Sequence, residues 1–258
     1  MTRSASPLIL TRVQLCRLLL LGWLSIATSP LVAAPSVRVG KARFDILRTK
    51  DAPRRFIHIH GNEITARQVL REHLGRDGAG AALMVRGGTR NVKIEKLWID
   101  PNRMFSSVGA TANLRRLNPN ASDDAIQKVL RRLDRDLPAL LHAVLPPSGA
   151  LLLSMHNNSQ GYSIQTEIPI SEKHHLPVPS EPNNFFLVTD PEDYRIFEAG
   201  PYNAVLQSNP PDPDDGSLSR LCASRRIRYV NLEAKLGEYD RQLEMLAWAD
   251  KALPQVRS

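Results

Sequence analysis

Apolar residues in this chain recur at two spacings, one of about two and one of three to four residues, and the two alternate along its length. Short strand-like runs cover 43–48, 55–60, 81–85, 92–99, 150–155, 185–189, 204–207 and 228–232. The second reads Arg-Phe-Ile-His-Ile-His and stops at Gly61; the third is closed by Gly87-Gly88. Helical spacing runs from Ile64 to Leu74, with Ala66, Val69, Leu70 and Leu74 in register. The longest helical stretch is Asp123 to Val144, started by Ser122 or Asp123 and stopped by Pro146-Pro147. A last helix spans Glu238 to Leu253. Strands alternating with helices predict an α/β sheet covered on both faces. Loops rich in Pro, Asn and Asp fall at 171–184 and 208–217, and the second holds Pro210, Pro211 and Pro213, which exclude regular structure. Neither an internal repeat nor an interdomain linker interrupts the pattern.

Residues 1–34 are patterned differently. Arg3, Arg12 and Arg17 precede the apolar run Leu18–Ala27, and Val32-Ala33-Ala34 follows, with no acid before Asp45. This is the three-part form of a secretory signal, cleaved after Ala34. The run is short of the about 20 residues that span a bilayer, so retention as an anchor is the alternative. The chain is therefore expected in the periplasm or outside the cell, as one domain over 35–258 without stable membrane insertion. Loss of the three arginines takes the formal charge from +8 to +5. The remaining basic residues are scattered and carry no nucleic-acid module, so no nucleic acid is expected as a partner. One cysteine, Cys222, is left; it cannot pair internally and reads as a small buried hydrophobe.

Four motifs carry chemistry. His60-Gly61-Asn62-Glu63 sits between a strand end and a helix start, where α/β sheets bind ligands. Imidazole and carboxylate three residues apart suit a zinc ion. His156 closes the apolar run Leu-Leu-Leu-Ser-Met; it is a third ligand or an ordinary hydrogen-bonded histidine. Asp100-Pro-Asn102-Arg103 offers a planar guanidinium and an amide to a carboxylate, unless Asp100 and Arg103 simply pair with each other. Glu233 ends the strand Arg228-Tyr-Val-Asn-Leu and is a general base, a helix cap or a salt-bridge partner. His58 lies on the same strand face as His60, as a packed residue or a support for the ligands. His174 and His175 fall in a loop. Asp214-Asp215-Gly216-Ser217 is a pocket wall or a plain turn, and Tyr162 is a donor to substrate or a packing ring. No Gly-x-Ser-x-Gly elbow is present, against a serine hydrolase.

Taken in order, His-Gly-Asn-Glu at 60–63, Arg90, Asp-x-Asn-Arg at 100–103, His156 and Glu233 resemble the zinc carboxypeptidase superfamily, in particular its succinylglutamate desuccinylase and aspartoacylase branch. The resemblance covers residues 55 to about 246. It implies a single-domain three-layer α/β/α fold with a central mixed, mostly parallel sheet. It implies one zinc ion per chain on His60, Glu63 and His156, with Glu233 as general base and Arg90 at the oxyanion. Arg103 with Asn102 would hold a substrate carboxylate. Pro101 departs from the leucine usual at that position. The expected activity is hydrolysis of an amide or peptide bond beside a free carboxylate, by a metallocarboxypeptidase or an N-acyl-amino-acid amidohydrolase acting on cell-wall or scavenged peptides. The other expectation is an envelope protein that binds ligand through a metal without turnover.

Overall fold

Successive side chains of a strand point to opposite faces of its sheet, so a strand buried on both sides must be apolar at every position. The middle strands here are of that kind. In the computed structural model the described residues are 35–257 other than 77, 160 and 212; the expected signal segment lies outside them. Eleven strands are described: β1 (Ser36–Val39), β2 (Ala42–Arg48), β3 (Lys50–His58), β4 (Ala79–Val85), β5 (Val92–Ile94), β6 (Leu97–Ile99), β7 (Leu152–Asn158), β8 (Lys173–His175), β9 (Phe185–Val188), β10 (Asn203–Leu206) and β11 (Tyr229–Lys235). The helices are α1 (Ile64–Arg76), α2 (Ser107–Leu117), α3 (Asp123–Val144), α4 (Ile164–Glu167), α5 (Pro191–Glu198), α6 (Leu218–Ser224) and α7 (Tyr239–Ala252).

Nine strands form one sheet in the order β1-β2-β4-β3-β7-β11-β9-β10-β8. Its centre, β4-β3-β7-β11, is parallel. Antiparallel pairs flank that centre through β2 on one side and β9 on the other. Alternate residues feed two cores. Ile57, Leu83, Phe185 and Tyr229 pack with α2, α3 and α6. Phe56, Met84, Phe186 and Val230 pack with α1, α5 and α7. The result is the expected three-layer α/β/α arrangement. Cys222 of α6 is fully buried in the first core, where burial pushes its thiol pKa far up, as fits a packing role. Among the described residues no helix is long and apolar enough to cross a membrane.

The structure differs from the sequence pattern at several places. The stretch 92–99 is a hairpin, β5 against β6, rather than one strand. Glu95 makes the turn with φ of 54°, a left-handed conformation that Gly or Asn usually announces. The added helices α2 and α5 are short and capped by Ser106 and Asp190, whose side chains accept from the first-turn N–H groups. His174 and His175 belong to the edge strand β8, not to a loop; His174 is exposed and His175 is half-buried. Strands β7 and β11 run on past their apolar residues, which places His156 and Glu233 inside them.

Candidate metal centre

The turn after β3 is built around a close approach of two backbones. Gly61 donates its N–H to the Thr89 carbonyl at 3.0 Å. A Cβ there would lie 2.7 Å from the carbonyl oxygens of Gly87 and Thr89, so only glycine fits. This contact seats the segment carrying Arg90 against the turn. The Glu63 N–H then donates to the His60 carbonyl at 3.2 Å, and the two side chains converge, with His60 Nδ1 2.7 Å from Glu63 Oε1. His58 Nε2 donates to the Glu63 carbonyl at 2.8 Å. Burial pushes the His58 pKa down to about 4, which keeps the ring neutral; it is both packed and a support for the turn.

His156 reaches the same point from β7. Its Nδ1 is 3.1 Å from Glu63 Oε2 and 3.2 Å from His60 Nδ1. In the parallel pair β7–β11, Glu233 is the direct partner of His156. The site therefore sits at the carboxyl ends of three neighbouring parallel strands, the crevice where open α/β sheets place ligands.

Asp100 supports the cluster from behind. Its Oδ1 accepts from His60 Nε2 at 2.8 Å and from the Asn102 N–H at 2.8 Å, and its own N–H donates to Asn113 Oδ1 at 2.9 Å. Burial opposes the charged form of Asp100, but His60 and Arg90 overcome it and hold the carboxyl far below its usual range. Arg90 bridges Glu63 and Asp100, at 3.0 and 3.2 Å. The pair that the sequence allowed between Asp100 and Arg103 does not form; Arg103 turns to Asp215 instead, at 3.6 Å.

The donor set fits a divalent metal. Because Asp100 takes the proton on His60 Nε2, the lone pair of a neutral His60 lies on Nδ1, facing Glu63 and His156. One ligand atom from each of His60, Glu63 and His156 lies within 4.8 Å of the others, and all three residues are buried. Among the described residues, Glu63 Oε2 meets the His156 ring at 3.1 Å and accepts from no other donor. Burial lowers the His60 pKa, yet Glu63 and Asp100 outweigh it and raise the value to about 9: the cluster attracts positive charge strongly. Replacing Asp100 by Asn frees the His60 tautomer and is expected to weaken metal binding about 10- to 100-fold, read as a dissociation constant by competition with a chelating dye. An unchanged constant would show that Asp100 has no part in aligning His60.

Glu233 is buried beside this cluster. Asn231 Nδ2 donates to its Oε1 at 3.1 Å and Asn158 Nδ2 to its Oε2 at 3.3 Å, and Asn183 in turn donates to Asn158 Oδ1 at 3.0 Å. Burial raises its pKa, Glu63 adds to the rise, and His156 with the two amides opposes it. A pocket of about 450 Å³ opens in front, and Asn102, Arg103 and Tyr162 line it with the cluster. Asn102 Oδ1 accepts from the Leu218 N–H at 3.0 Å, so only its Nδ2 is left to meet a ligand. Asp215 lies between Arg103 and Arg220, 3.2 Å from the latter, while its Oδ1 also takes the Ser217 N–H; the 214–217 segment is thus both a turn and a pocket wall.

No protein-family model and no curated protein matches the sequence. Among solved structures, a succinylglutamate desuccinylase/aspartoacylase from Rhodobacter sphaeroides aligns over 84% of this chain and 60% of its own, at 13% identity and a TM-score of 0.45. An aspartoacylase family protein from Mesorhizobium loti MAFF303099 aligns over 86% and 66%, at 15% identity and a TM-score of 0.42. The likeness is one of fold. The chain spans less than two thirds of either protein.

All seven residues singled out from the motifs line this one pocket: His60, Glu63, Arg90, Asn102, Arg103, His156 and Glu233. Sequence reasoning missed three others. Asp100 stands in the Asp-Pro-Asn-Arg motif with no role of its own beyond a possible pair with Arg103, and in the structure it aligns His60. Asn158 and Asn231 gave no signal beyond being amides in strands that ought to be apolar at both faces. That mismatch was itself the clue: a buried amide in a central strand has to be bonding something.

Proposed function

We propose that this protein is a zinc-dependent hydrolase that cleaves an amide or peptide bond beside a free carboxylate, with one zinc on His60, Glu63 and His156. The observation that carries this is a buried convergence of acceptor atoms, His60 Nδ1, Glu63 and His156 Nδ1, next to a buried carboxylate of raised pKa. Two imidazoles and one carboxylate are a set that favours zinc over harder cations. Bound there, zinc would polarise a carbonyl and would acidify water toward a pKa of about 7. Glu233 takes the proton of the attacking water and delivers it to the leaving amine. Its raised pKa brings it nearer the value at which a group both accepts and returns a proton. Arg103, with Asn102 Nδ2, docks the substrate carboxylate. Arg90 is half exposed beyond its contacts with Glu63 and Asp100, and its free N–H groups meet the charge that develops on the carbonyl oxygen.

The pattern of residues 1–34 supports placing this activity outside the cytoplasm, on cell-wall or scavenged peptides and acyl-amino acids. The test is metal content by plasma emission spectroscopy. The purified protein is expected to hold about one zinc per chain, and the His156→Ala protein close to none. A folded wild type that refuses added zinc removes this reading. Zinc held without hydrolysis of C-terminal peptides or N-acyl amino acids would leave a metal-dependent binding protein.

A further inference from the structure

The pocket has a second charged wall that this mechanism leaves unused. Glu167, the last residue of α4, is half-buried and lines the pocket. Neutral donors hold it in place. Gln207 Nε2 donates to Glu167 Oε2 at 2.6 Å, and the same amide is tied to Ser171 Oγ at 3.1 Å. Gln207 is itself buried. The Tyr162 hydroxyl also faces Glu167; burial, then Glu233 and Glu167, push its pKa well above the usual phenol value. Tyr162, Glu233, Glu167 and Arg103 all line the one pocket, which sets the base, the spare carboxylate and the docking arginine around one space.

Among the described residues Glu167 has no cationic partner, whereas Asp215 in the same pocket has both Arg103 and Arg220. A partly buried carboxylate that is fixed by neutral donors and lacks a counter-ion is an unmet demand for positive charge. The ligand is the remaining source of it. We propose that Glu167 receives a protonated amine of the substrate, so that the substrate is an acyl-amino acid or peptide end bearing both a free carboxylate and an ammonium group. This rests on the hydrolase reading above and narrows it from any carboxylate-bearing amide to one with a basic nitrogen. An amide beside the carboxylate is one acylated at the α-nitrogen, so the amine belongs to the side chain and not, as in a residue acylated on its side chain, to the α-carbon.

Three probes of like carbon skeleton separate these cases: Nα-acetyl-lysine, Nε-acetyl-lysine and N-acetylnorleucine, which lacks the amine. Calorimetry on the zinc-supplemented Glu233→Gln protein gives dissociation constants without turnover. Nα-acetyl-lysine is expected to bind roughly 10- to 100-fold tighter than N-acetylnorleucine, as for a hydrogen bond between charged groups. Adding Glu167→Gln is expected to bring that acetyl-lysine to the N-acetylnorleucine level and to leave N-acetylnorleucine unchanged, which also shows that the pocket stays folded. A preference for Nε-acetyl-lysine, whose amide is remote from the carboxylate, overturns the assignment. Equal binding of the three, binding of none, or a preference that survives Glu167→Gln overturns the assignment. Zinc content of the same samples tells the two failures apart. Zinc-loaded protein without amine preference refutes the role of Glu167 alone, and protein that takes up no zinc refutes the hydrolase reading with it.

Discussion

The Glu233→Gln protein is expected to keep its zinc and lose about 10²- to 10⁴-fold in turnover, the range that a positioned general base supplies. Glutamine has nearly the same shape, and the carboxylate it replaces is not among the three converging ligands. Asn231 and Asn158 each donate to a different oxygen of Glu233, so one amide must turn when a single oxygen remains. Removing a buried charge offsets that local loss, and the melting temperature should stay within a few degrees of wild type. The measurements are metal content, thermal melting and hydrolysis of a panel of C-terminal peptides and N-acyl amino acids. Undiminished turnover at full zinc content would move the base elsewhere in the pocket.

The largest expected loss of stability lies at the opposite end of the sheet. Arg228, the residue before β11, forms a two-pronged pair with Asp193 of α5, at 2.9 and 2.8 Å, and both residues are buried. Its other donors reach the Gly149 and Pro254 carbonyls at 2.7 and 3.1 Å. Arg257 also donates to Asp193, at 3.1 Å. Asp193→Ala leaves the Arg228 guanidinium buried without its counter-ion, which costs about 3–5 kcal/mol. For a domain of this size that is a fall of roughly 6–20 °C in melting temperature, measurable by circular dichroism. The double change Asp193→Leu with Arg228→Met removes both charges and should recover a large part of the loss. A single variant as stable as wild type would mean that water or Arg257 compensates Arg228.

How much of this was legible in the sequence depended on where each signal resided. The central strands announce themselves because both of their faces are buried, and Asp123–Val144 does so because Ser122, two acids and a double proline mark its ends. The candidate ligands were legible because His60 and Glu63 share one turn and His156 interrupts an apolar strand. Helix α2 was not. Its buried residues are Gly109, Ala110, Asn113 and Leu114, too small and too polar to print a helical stripe, and its place is set by packing. The hairpin at Glu95 was hidden for a related reason, since a glutamate occupies the left-handed position. Asp100 is the instructive case. Its neighbours in sequence suggested an ion pair with Arg103, while its partner in space, His60, lies 40 residues away. Local spacing can propose a pair; only the sheet decides which one forms.

The order of the central strands has a consequence for how the site comes into being. His60 follows β3, His156 lies in β7 and Glu233 in β11, three adjacent strands that are distant in sequence. Parallel pairing between remote segments is slow, because loop-closure entropy must be overcome before any contact forms. No early hairpin or lone helix brings the three groups together, and His60 with Glu63 is only two of the three candidate ligands. The nascent chain therefore has no completed set of candidate ligands while its sheet is still open. On the proposed reading, capture of a metal would follow the closing of β3 on β7 in register, and the ion would seal a finished fold rather than nucleate it.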